Sequence, residues 1–166
     1  MAAEVEIRPG SAADLIALVA ALGQRDFFAD RLARQHQERG VLLVAWLAAQ
    51  PVGDVYLLAE PADVPKVRHY LPGVPQLHHL EVVGPLQRCG IGTALVQALE
   101  DTARRLGDER LALGVGLANV HARRLYERLG YVDWDHGPVV GTWRAVGDDG
   151  TAVTVSQLID ILVKHL

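Results

Sequence analysis

Hydrophobic residues along this chain switch between the two-residue spacing of strands and the spacing of amphipathic helices. The first 58 residues carry both patterns in turn, and Ser11 with Asp14 forms a partial capping box before the first helix. The elements predicted here are a strand at 5–8, a helix after Ser11, a second helix at about 27–38, and a hairpin of strands at 41–48 and 52–58. This part of the chain therefore predicts two helices inserted between a strand and a hairpin.

The rest of the chain continues with single strands and helices. Four prolines make Pro61–Gln76 a loop with room for one helical turn. The further elements are a strand at 77–83, a helix at 91–106, a strand at 111–115, a helix capped by Asn119 and closed by Gly130, and two strands near 139–146 and 158–164. Gly147-Asp148-Asp149-Gly150 supplies turn residues between the last two strands. At 166 residues, one domain spanning 1–166 is expected.

A glycine-containing loop joins strand 77–83 to the helix that begins at Ile91, with the sequence Gln87-Arg88-Cys89-Gly90-Ile91-Gly92-Thr93. Gly90 and Gly92 allow a tight turn that leaves backbone N–H groups uncovered, and the helix start adds unpaired N–H groups and a positive dipole end. Arg88 adds a full positive charge. These features predict a seat for a phosphate or pyrophosphate. The rival dinucleotide fingerprint and the P-loop are both missing from the sequence.

Composition narrows the classes of partner and of site. The net charge is −4 and no basic run occurs, which argues against nucleic acid as the partner. No apolar run is long enough to span a bilayer, and the first residues do not resemble a signal peptide, so a cytoplasmic location is expected. The single cysteine, Cys89, excludes internal disulfides and cysteine-based metal sites. His78 and His79 are neighbours on a strand and are expected on opposite faces, so no metal is predicted.

Two motifs resemble signatures of the GCN5-related N-acetyltransferase (GNAT) superfamily. The loop from Gln87 to Gly92 is similar to its Gln/Arg-x-x-Gly-x-Gly/Ala motif, and the stretch from Asn119 to Tyr131 is similar to its Asn-x-x-Ala-x-x-Leu-Tyr-x-x-x-Gly-Phe/Tyr motif. The resemblance implies an α/β (α+β) fold with a mixed, mostly antiparallel sheet of about seven strands and about four flanking helices. The fourth and fifth strands are expected to splay apart and admit acetyl-CoA.

The resemblance also implies which residues hold acetyl-CoA. The strand before the loop would pair with the pantetheine arm, the N–H groups of residues 88–93 would hold the pyrophosphate, Asn119 would approach the pantetheine, and Tyr126 would lie near the sulfur. The cofactor-binding residues expected on this basis are Val82, Val83, Gln87, Arg88, Cys89, Gly90, Ile91, Gly92, Thr93, Asn119, Ala122 and Tyr126.

Two residues are candidates for the proton transfers of this chemistry. The resemblance implies that Tyr126 protonates the departing thiolate as a general acid; its alternative role is packing on the apolar face of its helix. Glu81 interrupts an apolar strand, on the face opposite Leu80 and Val82. It is either the general base for the incoming ammonium, directly or through water, or a structural carboxylate at the cleft rim.

The function implied is an N-acetyltransferase, in which a primary amine of a small molecule attacks acetyl-CoA directly within a ternary complex. A peptide or protein amine acetyltransferase and a non-catalytic acyl-CoA-binding domain are the alternatives. Asp54, Glu60 and Asp63 lie in or before the proline-rich loop and are candidates to hold a second positive charge of the acceptor. A monomer and a homodimer both remain open.

Overall fold

Eight strands form one mixed sheet in the computed structural model, which describes residues 4–146 and 151–166. Along the sheet the order is β1-β2-β3-β4-β5-β8-β6, with β7 also paired to β8. All pairs run antiparallel except β4 with β5. The strands are β1 Val5–Pro9, β2 Gly40–Leu47, β3 Gln50–Leu58, β4 Gln76–Val82, β5 Arg110–Gly116, β6 Val132–Asp133, β7 Val139–Val146 and β8 Ala152–His165.

Five α-helices in the described part of the chain flank the sheet, where the sequence predicted about four. They are α1 Leu15–Leu22, α2 Arg25–His36, α3 Pro65–Tyr70, α4 Ile91–Arg105 and α5 Val120–Arg128. The additional helix, α3, lies in the segment predicted as a loop. Pro65 is pre-set for the first helical turn, and burial of Val67 stabilises the helix against the sheet. None of the described helices has the length and apolar character needed to cross a membrane.

The last strand, β8, is twice as long as the sequence pattern predicted. Its second half pairs with β5, whereas its first half extends beyond β5 and pairs with β7 alone. Side chains such as Val153 and Leu158 are half exposed there, so this part lacks the buried pattern that would mark a strand. The predicted turn at 147–150 lies outside the described residues.

Hydrophobic clusters cover the two faces of the sheet unequally. On one face, α4 and α5 pack into the largest cluster, which contains Leu95, Leu99 and Tyr126. On the other face, α1 and α2 cover β2 and β3, while α3 packs over β5 and β8. The strand β4 lies between these two smaller clusters. Its polar residues on that face are therefore bordered by helices on both sides.

The parallel strands β4 and β5 separate soon after they meet. They pair at only two positions, Gln76 with Ala112 and Leu77 with Leu113. Beyond Leu77, β4 stays paired with β3, while β5 stays paired with β8. The expected splay of the fourth and fifth strands is confirmed, and it opens a gap in the middle of the sheet.

Candidate active site

The loop between β4 and α4 has the geometry of an anion seat. Arg88 and Gly90 both adopt left-handed backbone conformations, with φ of 63° and 85°. The first hydrogen bond of α4 runs from Ala94 N–H to the Gly90 carbonyl oxygen, 3.0 Å away. The N–H groups of residues 91–93 therefore have no partner within the helix, and the positive end of the helix dipole adds to them. The loop can accept a phosphate as the sequence predicted.

Gly92 faces open space between α4, β4 and α5. A Cβ built at this position would meet no atom closer than 3.9 Å, and the atoms it meets belong to Leu80, Val82 and Leu125. The protein alone would therefore tolerate a small side chain here. Because Gly92 has no side chain, a ligand in the cleft can approach the backbone closely here.

A cleft of about 660 Å³ continues from this loop between β4 and α5. Its positive charges come from Arg88 on the loop and from Arg124 and Arg128 on α5. The complete lining is Leu80, Val82, Gln87, Arg88, Gly90, Gly92, Thr93, His121, Ala122, Arg124, Leu125 and Arg128. Three arginines without a lining carboxylate, beside apolar walls, suit a ligand with phosphates at one end and an apolar arm.

Seven of the predicted cofactor residues line this cleft: Val82, Gln87, Arg88, Gly90, Gly92, Thr93 and Ala122. The cofactor role of all twelve stays a prediction, and five of them do not line the cleft: Val83, Cys89, Ile91, Asn119 and Tyr126. For some the reason is local. The Val83 backbone already bonds to Val52 and Leu86, Ile91 is buried in the core, and the Asn119 side chain accepts a bond from Ala122 N–H at 3.2 Å.

Sequence reasoning placed Ala122 of α5 at the cofactor but missed the other residues that α5 contributes to the cleft. His121, Arg124, Leu125 and Arg128 are spaced as one face of a helix and line the cleft together with Leu80. The spacing was visible in the sequence. What it did not reveal was which face of α5 turns towards β4, because the apolar stripe containing Tyr126 indicates only the face towards the core.

Tyr126 is buried on α5, with 6% of its surface exposed. Its ring packs edge-on against Tyr131, with centroids 5.9 Å apart. Burial raises the pKa of the Tyr126 phenol to about 12, so the hydroxyl keeps its proton at neutral pH. This protonation state is the one that a general acid requires.

Glu81 belongs to a hydrogen-bonded group on the opposite face of β4. Its Oε2 accepts a bond from Gln24 Nε2 at 2.9 Å, and Gln24 Oε1 lies 3.0 Å from His79 Nε2. His79 Nδ1 lies 2.7 Å from Oδ2 of Asp54, which is fully buried. Phe27 stacks on the His79 ring at 3.9 Å. The four polar side chains form a chain that leads from a buried carboxylate to the 40% exposed carboxylate of Glu81.

A β-bulge in β4 produces this arrangement. Asp54 pairs with Glu81 and Tyr56 with His78, so the single residue Val55 lies opposite both His79 and Leu80. His79 adopts a left-handed conformation, with φ of 57°. The alternation expected between His78 and His79 is interrupted here, and His79 turns towards α2. Leu80 and Val82 still pack into the main core, so Glu81 faces away from them as predicted.

Burial shifts the pKa values of two acid–base groups on this face in opposite directions. Desolvation raises the pKa of Asp54 to about 6, although its hydrogen bond to His79 opposes the shift. Desolvation lowers the pKa of His78 to about 4, and the charge of Arg31 acts in the same sense. Of the acidic residues suggested as holders of a second charge, Glu60 already pairs with Arg34 and Arg39.

Comparison with known proteins agrees with these features. Residues 13–131 match the family model described as "Acetyltransferase (GNAT) family". The chain is 29% identical over 97 residues to the uncharacterized N-acetyltransferase YvbK of Bacillus subtilis, a match that covers 58% of this chain and 56% of that protein. The chain thus spans little more than half the length of that curated relative.

Solved structures share the whole architecture. A GNAT family acetyltransferase from Elizabethkingia anophelis with acetyl-CoA bound matches with a TM-score of 0.63 and 18% identity, over 98% of both chains. A ribosomal-protein-alanine N-acetyltransferase from Brucella melitensis matches with a TM-score of 0.68 and 23% identity, over 97% of this chain and 99% of that one. The predicted fold is thereby confirmed. The chain belongs to the GNAT family of acetyl-CoA-dependent N-acetyltransferases.

Proposed function

We propose that this protein transfers the acetyl group of acetyl-CoA to a primary amine of a small molecule, by direct attack within a ternary complex. The observation that carries the proposal is the position of the Glu81 carboxylate. It lies on the open part of β4, beyond the point where β4 and β5 separate, and on the face opposite the arginine-lined cleft. A cofactor and an amine can therefore approach the gap from opposite faces.

The cofactor side of the proposal rests on the cleft. The pyrophosphate would lie on the N–H groups of residues 88–93, with Arg88, Arg124 and Arg128 balancing its charge. The pantetheine arm would follow Leu80 and Val82 towards the gap. Tyr126, which keeps its proton at neutral pH, would protonate the CoA thiolate as it departs.

The acceptor side rests on charge and confinement. The exposed carboxylate of Glu81 suits an ammonium on this face of the sheet, and the carboxyl group of Asp54 is buried behind it. The face is bordered by α1 and α2 on one side and by α3 on the other. A space enclosed on both sides suits a compact acceptor better than a folded protein. We further propose a cytoplasmic protein that acts as a single domain of residues 1–166, as a monomer or homodimer, without nucleic acid.

A peptide or protein amine is the alternative acceptor, and the name of the Brucella melitensis relative illustrates it. A competition assay separates the two. Release of the CoA thiol is measured with small polyamines and amino sugars, and with peptides that offer a free N-terminus or a lysine. The proposal expects higher kcat/KM for the small amines. Clearly higher kcat/KM for peptides would overturn it, and binding of acetyl-CoA without amine-dependent thiol release would favour a non-catalytic domain.

A further inference from the structure

The hydrogen bonds that link Asp54, His79, Gln24 and Glu81 can all form only when the group holds one proton more than neutral His79 with two ionised carboxylates. Gln24 donates to Glu81 through its Nε2, so it presents its carbonyl oxygen to His79 Nε2. That oxygen can only accept, so His79 Nε2 must carry a hydrogen. The short contact between His79 Nδ1 and Asp54 then needs a second hydrogen, supplied by an imidazolium or by a protonated Asp54.

The reversed orientation of the Gln24 amide also requires the extra proton, but at a different position. In the reversed orientation Gln24 Nε2 donates to His79, and its oxygen faces a carboxylate oxygen of Glu81. Two acceptors then meet unless Glu81 is protonated. In both orientations the closed group carries one proton more than neutral His79 with two ionised carboxylates. The orientations differ in which end of the group holds it.

The backbone is held in unusual conformations to keep this group together. Gln24 and His79 are both in the left-handed region, with φ of 54° and 57°, although neither is a glycine. Such conformations persist only where the surrounding structure maintains them. Stacking on Phe27 and the hydrogen bond to Asp54 hold His79, and Gln24 occupies the short junction between α1 and α2.

We propose that Asp54, His79, Gln24 and Glu81 act together as the proton acceptor of the acetyl transfer. Glu81 receives the proton from the substrate, His79 with Asp54 shares it, and Gln24 links the two ends. Glu81 is the catalytic residue of the group, and the other three are positioning residues. The inference rests on the proposed amine acetylation, and it replaces a lone carboxylate base with a connected set of groups.

The proton transfer balances within the group. An N–H bond of the substrate ammonium breaks, its electron pair stays on nitrogen, and the free amine can then attack the thioester. The proton joins Glu81 Oε2, which lies 3.5 Å from His79 Nε2. Sharing it with His79 and Asp54 closes the hydrogen bonds described above and changes the total charge of the group from −2 to −1. Water takes up the proton after the product leaves.

Other titratable and charged groups surround this unit. On β4 the nearest is His78, whose lowered pKa of about 4 keeps it neutral in the working range. From α2, Arg31 stacks over Phe27 and, like Arg34, influences His78, and Asp63 acts on His78 in the opposite sense.

The test compares two glutamine variants that each remove one glutamine–histidine contact. Gln24→Leu removes the hydrogen-bonded bridge between Glu81 and His79 and leaves only their direct contact at 3.5 Å. Gln24 is exposed, so the fold should survive. Gln76→Leu is the matched control, because Gln76 Oε1 lies 3.2 Å from His78 Nε2, outside the unit. NMR of the His79 imidazole measures its protonation midpoint in the free protein. The acid limb of the pH profile of kcat/KM is measured with saturating acetyl-CoA.

Of the two hydrogen bonds lost in Gln24→Leu, the one that His79 Nε2–H donates to Gln24 Oε1 stabilises the protonated unit. The His79 midpoint and the acid limb should therefore both shift to lower pH, by about half a pH unit. Gln76→Leu should leave both in place. An unmoved His79 midpoint, or an acid limb that stays while the midpoint moves, would overturn the inference. The NMR titration needs no acceptor. If peptides prove to be the better acceptors, the acid limb is measured with a peptide and the inference is judged separately.

Discussion

The Gln87 side chain donates a hydrogen bond from Nε2 to the backbone carbonyl oxygen of Val82, 3.1 Å away. The first residue of the phosphate loop is therefore tied to the last residue of β4. This contact sets where the loop leaves the sheet and hence where its N–H groups point. Gln87 thus lines the cleft and also positions the loop beside it.

Replacing Gln87 with leucine should weaken binding more than folding. The lost bond is exposed and contributes about 1 kcal/mol, so Gln87→Leu should raise the acetyl-CoA Kd by about three- to tenfold. The midpoint of urea unfolding should change little. Titration calorimetry measures the Kd, with Gln97→Leu on the exposed side of α4 as the control. An unchanged Kd would mean that the bond does not position the loop.

The arginines of α5 should contribute through charge. The double variant Arg124→Gln/Arg128→Gln should raise the acetyl-CoA Kd roughly tenfold, and the remaining affinity should depend less on ionic strength. Arg104→Gln/Arg105→Gln makes the same change in net charge at the far end of α4 and should leave the Kd near its original value. Equal effects of the two double variants would reduce the role of α5 to net charge alone.

Tyr126 should matter for turnover and little for cofactor affinity. Tyr126→Phe keeps the ring and its packing against Tyr131 but removes the phenolic proton. General acid catalysis contributes about 10²–10⁴ in rate, so kcat should fall by that order. Stopped-flow thiol detection measures the chemical step, and calorimetry measures acetyl-CoA binding. Full turnover in a regime limited by chemistry would remove Tyr126 from the mechanism.

His78 and Asp54 should make stability depend on pH in opposite directions. His78 binds fewer protons in the folded than in the unfolded state between about pH 4 and 6.5, so its contribution to stability rises with pH there. Asp54 binds more protons when folded between its ordinary pKa of 3.8 and its raised pKa of about 6, so its contribution falls with pH. The two trends largely cancel in the wild type.

A variant that lacks one of these two groups should reveal the pH dependence of stability that the other contributes. In His78→Gln the rising contribution is lost, so the free energy of unfolding relative to the wild type should decline steadily from pH 4 to 6.5. In Asp54→Asn the free energy of unfolding relative to the wild type should instead rise with pH. Urea unfolding at several pH values measures both. Parallel pH profiles for wild type and variants would show that neither group is shifted by burial.

The sequence predicted the elements that follow regular patterns, and it missed those that depend on tertiary contacts. The phosphate loop and the helix after it are local, since Gly90 and the helix start are adjacent in the chain. The bulge at His79 and Leu80 was not predictable, because it arises only in the pairing of β4 with β3. The link from Asp54 to Glu81 through Gln24 likewise joins three segments that are distant in sequence.

Gly92→Val tests whether the pyrophosphate of acetyl-CoA lies on the 88–93 loop. The added Cβ has room in the protein itself, so the variant should fold, while its side chain would block the close approach of the pyrophosphate. Gln97→Val places the same residue on the exposed side of α4 and serves as the control. Titration calorimetry should show no measurable acetyl-CoA binding to folded Gly92→Val and normal binding to the control. A folded Gly92→Val protein that binds acetyl-CoA with the wild-type Kd would contradict the account.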